Sequence, residues 1–118
     1  MLPSGLRVIV CLEAVDMRRS FDSLAAVVRE ILGENPHCGH LFVFFSRGWS
    51  SVKILHWEQS GYWIYYKRLE RGTFKLPVRR DSCCSLEIDA KELALILEGL
   101  ELDGARHRIR FQRSALSC

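Results

Sequence analysis

Apolar positions along this chain change rhythm several times, and each change marks an element. Leu2-Pro3-Ser4-Gly5 is a turn-like opening, after which Leu6 to Leu12 (LRVIVCL) is β-branched and apolar and reads as a first strand. Val15 to Ser20 is polar and irregular. Phe21, Leu24, Ala25, Val28, Ile31 and Leu32 then recur at three- and four-residue spacings, which line up one stripe of a helix. Ser20 is placed to cap it, since a serine hydroxyl can accept from an otherwise unpaired amide of the first turn. Gly33 can supply the left-handed residue that ends a helix, and Pro36 forbids continuation.

Period two takes over next. Leu41 to Phe45 is almost wholly apolar, the pattern of a central strand covered on both faces. Val52 to Trp57 sets Lys53, Leu55 and Trp57 against Val52, Ile54 and His56, with Arg47-Gly48-Trp49-Ser50-Ser51 as the turn before it. Gly61 to Lys67 follows after the short polar link Glu58-Gln59-Ser60, which suits a hairpin. Thr73 to Leu76 reads as a short further strand ended by Pro77 at a sheet edge. Asp89 with Glu92 three residues on forms a capping box for a second helix, whose stripe is Leu93, Ile96, Leu97 and Leu100, with Gly99 able to end it early. The order β-α-β-β-β-α predicts an α+β single domain: a mainly antiparallel sheet of three to four strands with two helices on one face. The domain is expected over residues 1–102, with 103–118 a basic, loosely ordered tail.

Composition narrows the class. At 118 residues, 48% hydrophobic and 26% charged, the chain suits one ordinary soluble core, and no apolar run approaches the roughly 20 residues that span a bilayer. Arg7 interrupts the first apolar segment, so no signal peptide is read and a cytoplasmic location is expected. Five cysteines without a CxxC pair read as reduced, incidental thiols rather than a disulfide framework. Residues 1–60 balance their charges, so the net +3 arises entirely from residues 61–118. Lys67 to Arg80 holds six cations against Glu70 alone, and Arg106 to Arg113 adds four arginines without a carboxylate. Clustering of this kind matters more than the total for attracting a polyanion, because salt screens charges beyond about 8 Å.

Catalytic readings are weak. Asp16, Asp22, Glu70 and Asp89 could be assembled on paper into a two-metal nuclease site, but none lies inside a strand core, and Asp22 and Asp89 are explained by helix starts. His37-Cys38-Gly39-His40 offers half a zinc site and lacks the other ligands, and no glycine-rich phosphate loop opens a helix. Neither a metal nor another cofactor is expected. The cations are the better candidates: Lys67, Arg68, Arg71 and Lys75, with Arg18, Arg19, Arg47 and Lys53 behind them, form a candidate surface for phosphates or an acidic partner. Tyr62, Trp63, Tyr65 and Tyr66 precede this run, and flat rings can stack on unpaired bases. Strand aromatics are nonetheless read here as core and cross-strand packing.

Four ordered motifs carry a family resemblance: Asp16-Met17-Arg18-Arg19-Ser20-Phe21-Asp22-Ser23-Leu24-Ala25, Gly39-His40-Leu41-Phe42-Val43-Phe44, Lys53-Ile54-Leu55-His56-Trp57, and Tyr66-Lys67-Arg68-Leu69-Glu70-Arg71-Gly72-Thr73-Phe74. Together with Leu2-Pro3-Ser4-Gly5-Leu6-Arg7-Val8 and Leu97-Glu98-Gly99-Leu100, they make the chain resemble the TnpB accessory protein, the second open reading frame product, of bacterial insertion sequences of the IS66 type, from about residue 2 to 102. The resemblance implies a non-catalytic part in DNA transposition beside a separate transposase that holds the catalytic carboxylates. Double-stranded DNA at the element ends and that transposase are the implied partners, or the transposase alone if the basic edge meets an acidic protein surface. Asp16, Met17 and Arg18 fall on the family's DMR motif, and Lys67, Arg68, Glu70, Arg71 and Gly72 on its KRLE(R/K)G motif. The chain departs from the family in its turn at Arg47, where several arginines are usual, in Glu58 instead of aspartate after Trp57, and in its tail.

Overall fold

The computed structural model describes residues 6–76 and 84–98. Strand β1 is Val8–Cys11, helix α1 Phe21–Val27, β2 Leu41–Phe45, β3 Ser51–Glu58, β4 Gly61–Arg68, β5 Ser85–Ile88 and helix α2 Ala90–Glu98. The strands form one sheet in the order β4-β3-β2-β1-β5. Pairing is antiparallel except between β1 and β2, which run parallel in the register Val8–Leu41. Parallel neighbours need a crossover, and the segment containing α1 supplies it.

β2 is the central strand, as its continuous apolar run predicted, and all five of its residues are buried. Its alternation divides the interior in two. Leu41, Val43 and Phe45 join Val8, Val10, Val52, Ile54, Leu86, Ile88, Leu93 and Ile96 on the face covered by α2. Phe42 and Phe44 join Ile9, Cys11, Leu55, Leu24, Ala25 and Val28 on the face covered by α1. The helices therefore lie on opposite faces, not on one. A strand greasy on both sides demands two covers, and each helix can provide only one.

Three further expectations change. Thr73 to Leu76 is not a strand: Phe74 is buried in the α2-side core while its N–H donates to the Trp49 carbonyl at 2.7 Å, so this segment is held by a turn. The additional strand is β5, which pairs antiparallel with β1 from Val8–Ile88 to Cys11–Ser85 and gives the order β-α-β-β-β-β-α. Phe21 and Ile31, placed in the apolar stripe of the first helix, are 44% and 38% exposed. The stripe drifts because α1 passes into a π-helical turn, Val28–Leu32, before Gly33 ends it at φ 68°.

Both helices are capped at the residues the sequence placed there, Asp89 for α2 and Ser20, in a capping box with Ser23, for α1. The Asp89 N–H donates to Glu92 Oε1 at 2.9 Å, and the Glu92 N–H donates to Asp89 Oδ1 at 2.8 Å, a reciprocal box. In α1 the Ser20 N–H donates to the Ser23 hydroxyl at 2.9 Å. The β3–β4 link is a two-residue turn with Gln59 at φ 52°. No described helix is long and apolar enough to cross a membrane. Residues 1–5, 77–83 and 99–118, with the opening turn, Pro77, Gly99, Leu100 and the expected tail, lie outside the described residues.

Candidate nucleic-acid interface

Because β1 and β2 are parallel and β3 antiparallel to β2, one end of the sheet collects the carboxyl ends of β1, β2 and β4 and the start of β3. Three sequence segments meet there: the loop holding Asp16, Met17, Arg18 and Arg19; the turn holding Arg47; and the run from Lys67 to Gly72. Ala14, Val15, Asp16 and Met17 face Ser46, Arg47, Gly48, Ser50 and Ser51 across an open cleft.

Backbone hydrogen bonds make this end a rigid frame. The Val15 N–H donates to the Phe45 carbonyl at 3.0 Å, the Ser46 N–H to the Ser51 carbonyl at 3.0 Å, and the Leu69 N–H to the Ser50 carbonyl at 2.9 Å. Trp49, held at φ 62°, packs its ring 5.0 Å from Phe45, which in turn lies 5.6 Å from Phe74. Arg47, Arg68 and Arg71 are thus exposed cations on well-supported backbone.

Not every cation is equally available. Arg18 donates from Nε and Nη2 to the Asp16 carboxylate, the shorter contact being 2.7 Å, and the Arg18 backbone N–H adds a bond of 2.9 Å. These hydrogen bonds hold the Asp16 carboxyl well below the usual carboxylate range. Lys53 Nζ donates to the Arg19 carbonyl at 2.7 Å and sits 4.9 Å above the Tyr66 ring. Lys67 Nζ donates to the Leu97 carbonyl at 2.7 Å, placing a positive charge at the carbonyl end of α2. Lys75 Nζ reaches the Thr73 hydroxyl at 3.3 Å. Among the described residues Arg19, Arg47, Arg68 and Arg71 make no side-chain ion pair. Arg79, Arg80 and the four arginines of 106–113 fall outside the described residues.

The aromatics of β4 depart from the packing expectation. Trp63, Tyr65 and Tyr66 are 53%, 50% and 56% exposed, while Tyr62 is partly covered by Trp57 and Phe21. β4 is an edge strand, so a ring on it can satisfy strand preference without reaching the core. Trp63 and Tyr65 lie parallel within 9° at 6.1 Å, and the indole N–H donates to Glu58 Oε1 at 2.8 Å.

Among the described residues, the groups that suggested other chemistries are engaged elsewhere or stand apart. No group of three or more His, Cys, Asp or Glu among the described residues can hold a metal ion. His40 Nδ1 accepts from the Arg7 N–H at 3.0 Å, and the exposed His37 packs its ring 4.2 Å from Trp57. Burial pushes the Cys11 thiol up, which keeps it protonated and unreactive. Asp16 and Glu70 share the basic end, whereas Asp89 is occupied in the α2 cap.

The model of the family described as IS66 Orf2 like protein matches residues 6–107. The chain belongs to the IS66 Orf2-like family. Two relatives from Sinorhizobium fredii (strain NBRC 101917 / NGR234) are similar along most of their length. Uncharacterized protein y4jC is 34% identical over 97 residues, covering 82% of this chain and 81% of the relative. Uncharacterized protein y4hO is 38% identical over 103 residues, covering 86% and 88%. No solved structure matches. IS66 Orf2-like membership associates the chain with transposition, and its DMR and KRLERG segments are two of the three that lie at the basic end of the sheet.

Proposed function

We propose that this IS66 Orf2-like chain is a non-catalytic, cytoplasmic accessory protein of DNA transposition that contacts phosphates of duplex element ends through the basic end of its sheet. The transposase of the same element is its protein partner in this reading. The observation that supports it is that three segments distant in sequence, which carry Arg19, Arg47, Arg68 and Arg71, lie at one end of the sheet on hydrogen-bonded backbone. Long cationic side chains on fixed backbone position a protein on a phosphate chain without reading bases. Arg68 and Arg71 are preferred over Lys67 and Lys53, whose ammonium groups are engaged by backbone carbonyls.

The test is a salt-titrated binding assay on element-end duplex. Removing one arginine that neutralises a phosphate should flatten the logarithmic salt dependence by about 0.9, so Arg68→Ala with Arg71→Ala should flatten it by about two. A protein that fails to bind these ends at low salt, yet co-purifies with the transposase, would leave only a protein-binding role. The salt bridge of Arg18 with Asp16 favours that second reading to one degree, because it withdraws a cation from the surface.

A further inference from the structure

β4 ends the sheet, and nothing among the described residues pairs with its outer side. It is eight residues long, as long as any strand here, and contains no proline. Soluble proteins normally blunt such an edge with proline, a bulge or inward charge, because unpaired N–H and C=O groups recruit another strand. β5, the opposite edge, is only four residues long and carries the Arg7–Glu87 ion pair beside it. The two edges are therefore managed differently.

The direction of the free groups on β4 follows from the register. Leu69 donates to Ser50, and Glu58 pairs with Gly61 at the two-residue turn, so the odd-numbered positions bond to β3. Tyr62, Ile64, Tyr66 and Arg68 consequently aim their backbone groups outward. We propose that β4 is a self-association edge, and that its occupant is β4 of a second copy of this chain, paired antiparallel.

Self-complementarity selects the second copy and fixes the register. A two-fold axis perpendicular to the sheet keeps like faces together, so each residue must meet one of the same parity. All four outward residues find partners in one alignment: Tyr62 with Arg68, Ile64 with Tyr66, and the two reciprocal pairs, with Tyr65 facing its own copy. That alignment sets Trp63 opposite Lys67, and Tyr62 opposite Arg68, so each cation of the strand meets a ring rather than another cation. Shifting the axis to Ile64 leaves Arg68 beyond the facing strand. The exposed Tyr65, Tyr66 and Trp63 would then lie at a seam, which accounts for rings that the core does not use.

The experiment is sedimentation equilibrium on the full chain without DNA, so its outcome is independent of the DNA reading. A dimer is expected, with Tyr66→Pro weakening it at least tenfold by removing an outward donor, and Tyr65→Lys doing the same by opposing two like charges. Circular dichroism and melting of both variants should show an intact fold, since both side chains are exposed. In a Cys38→Ser, Cys118→Ser background, Tyr65→Cys should give a covalent dimer on mild oxidation, because facing non-hydrogen-bonded residues sit about 4.5 Å apart at Cα, within disulfide reach. Trp63→Cys should not cross-link. A monomer at every concentration, as when the edge serves only another protein, overturns the proposal. So does a dimer that neither β4 substitution weakens.

Discussion

The two ends of the sheet are built from the same strands and behave as different materials. At one end, a long loop, a tight turn and the end of β4 bring arginines together, and Arg47, Arg68 and Arg71 point to solvent from braced backbone. At the other, charges are taken up in local structure: Arg7 pairs with Glu87 at 3.0 Å and lies 3.7 Å from Glu34, Glu58 holds the Trp63 indole, and Asp89 with Glu92 caps α2. Charge number matters less than whether a charge is already satisfied. A side chain paired within the fold stabilises it; one left unpaired on a rigid frame is available to a partner.

Substitutions can break that contrast. The largest effect is expected from Arg68→Ala with Arg71→Ala, which should weaken binding to element-end duplex by about tenfold to a hundredfold at low salt while leaving the melting temperature in place. Arg7→Ala at the far end should change affinity less than twofold, and equal losses from both would erase the distinction. Next comes Asp89→Ala, expected to cost about 1 kcal/mol of stability in denaturant titration with no change in DNA affinity. Lys67→Ala should cost about 0.5 kcal/mol, less in high salt, because it removes an exposed cation from the carbonyl end of α2. If Lys67→Ala instead flattened the salt dependence as much as Arg68→Ala, its bond to Leu97 would not survive DNA binding.

The smallest effect is expected at Asp16. Its carboxyl is held low in the folded state, so its contribution is complete above the ordinary carboxylate range and is lost only as pH falls through the depressed value. Binding measured from neutral pH down to about 5 should therefore carry no inflection from Asp16. Asp16→Asn releases Arg18 and should steepen the salt dependence by at most about one phosphate contact. A weaker affinity would show that the pair positions Arg18 rather than neutralising it.

Much of the fold could be read from local pattern, since β2, the β3–β4 hairpin, Gly33 and the Asp89–Glu92 box each depend on residues close in sequence. The placement of the helices was also implicit: a strand reading Leu-Phe-Val-Phe-Phe already requires covers on two sides. β5 escaped because Ser85 to Ile88 is short and takes its identity from β1, a partner more than seventy residues away. The basic end was only half legible. Its cations are visible in the sequence, but their meeting depends on the parallel β1–β2 pairing. Which lysines bind carbonyls depends on where α2 and the loop before α1 come to rest. The exposed rings of β4 depart from the core expectation because strand preference and burial usually coincide and separate only at an edge.

The open side of β4 has a further geometric consequence. Strands joined antiparallel across a perpendicular two-fold axis point their carboxyl ends in opposite directions. Two copies zipped along this strand would carry their arginine ends at opposite poles of one continuous ten-stranded sheet. Such a particle could not grip a single duplex from both sides. It would be a strut, able to hold two separate DNA segments at a fixed spacing and in fixed relative orientation.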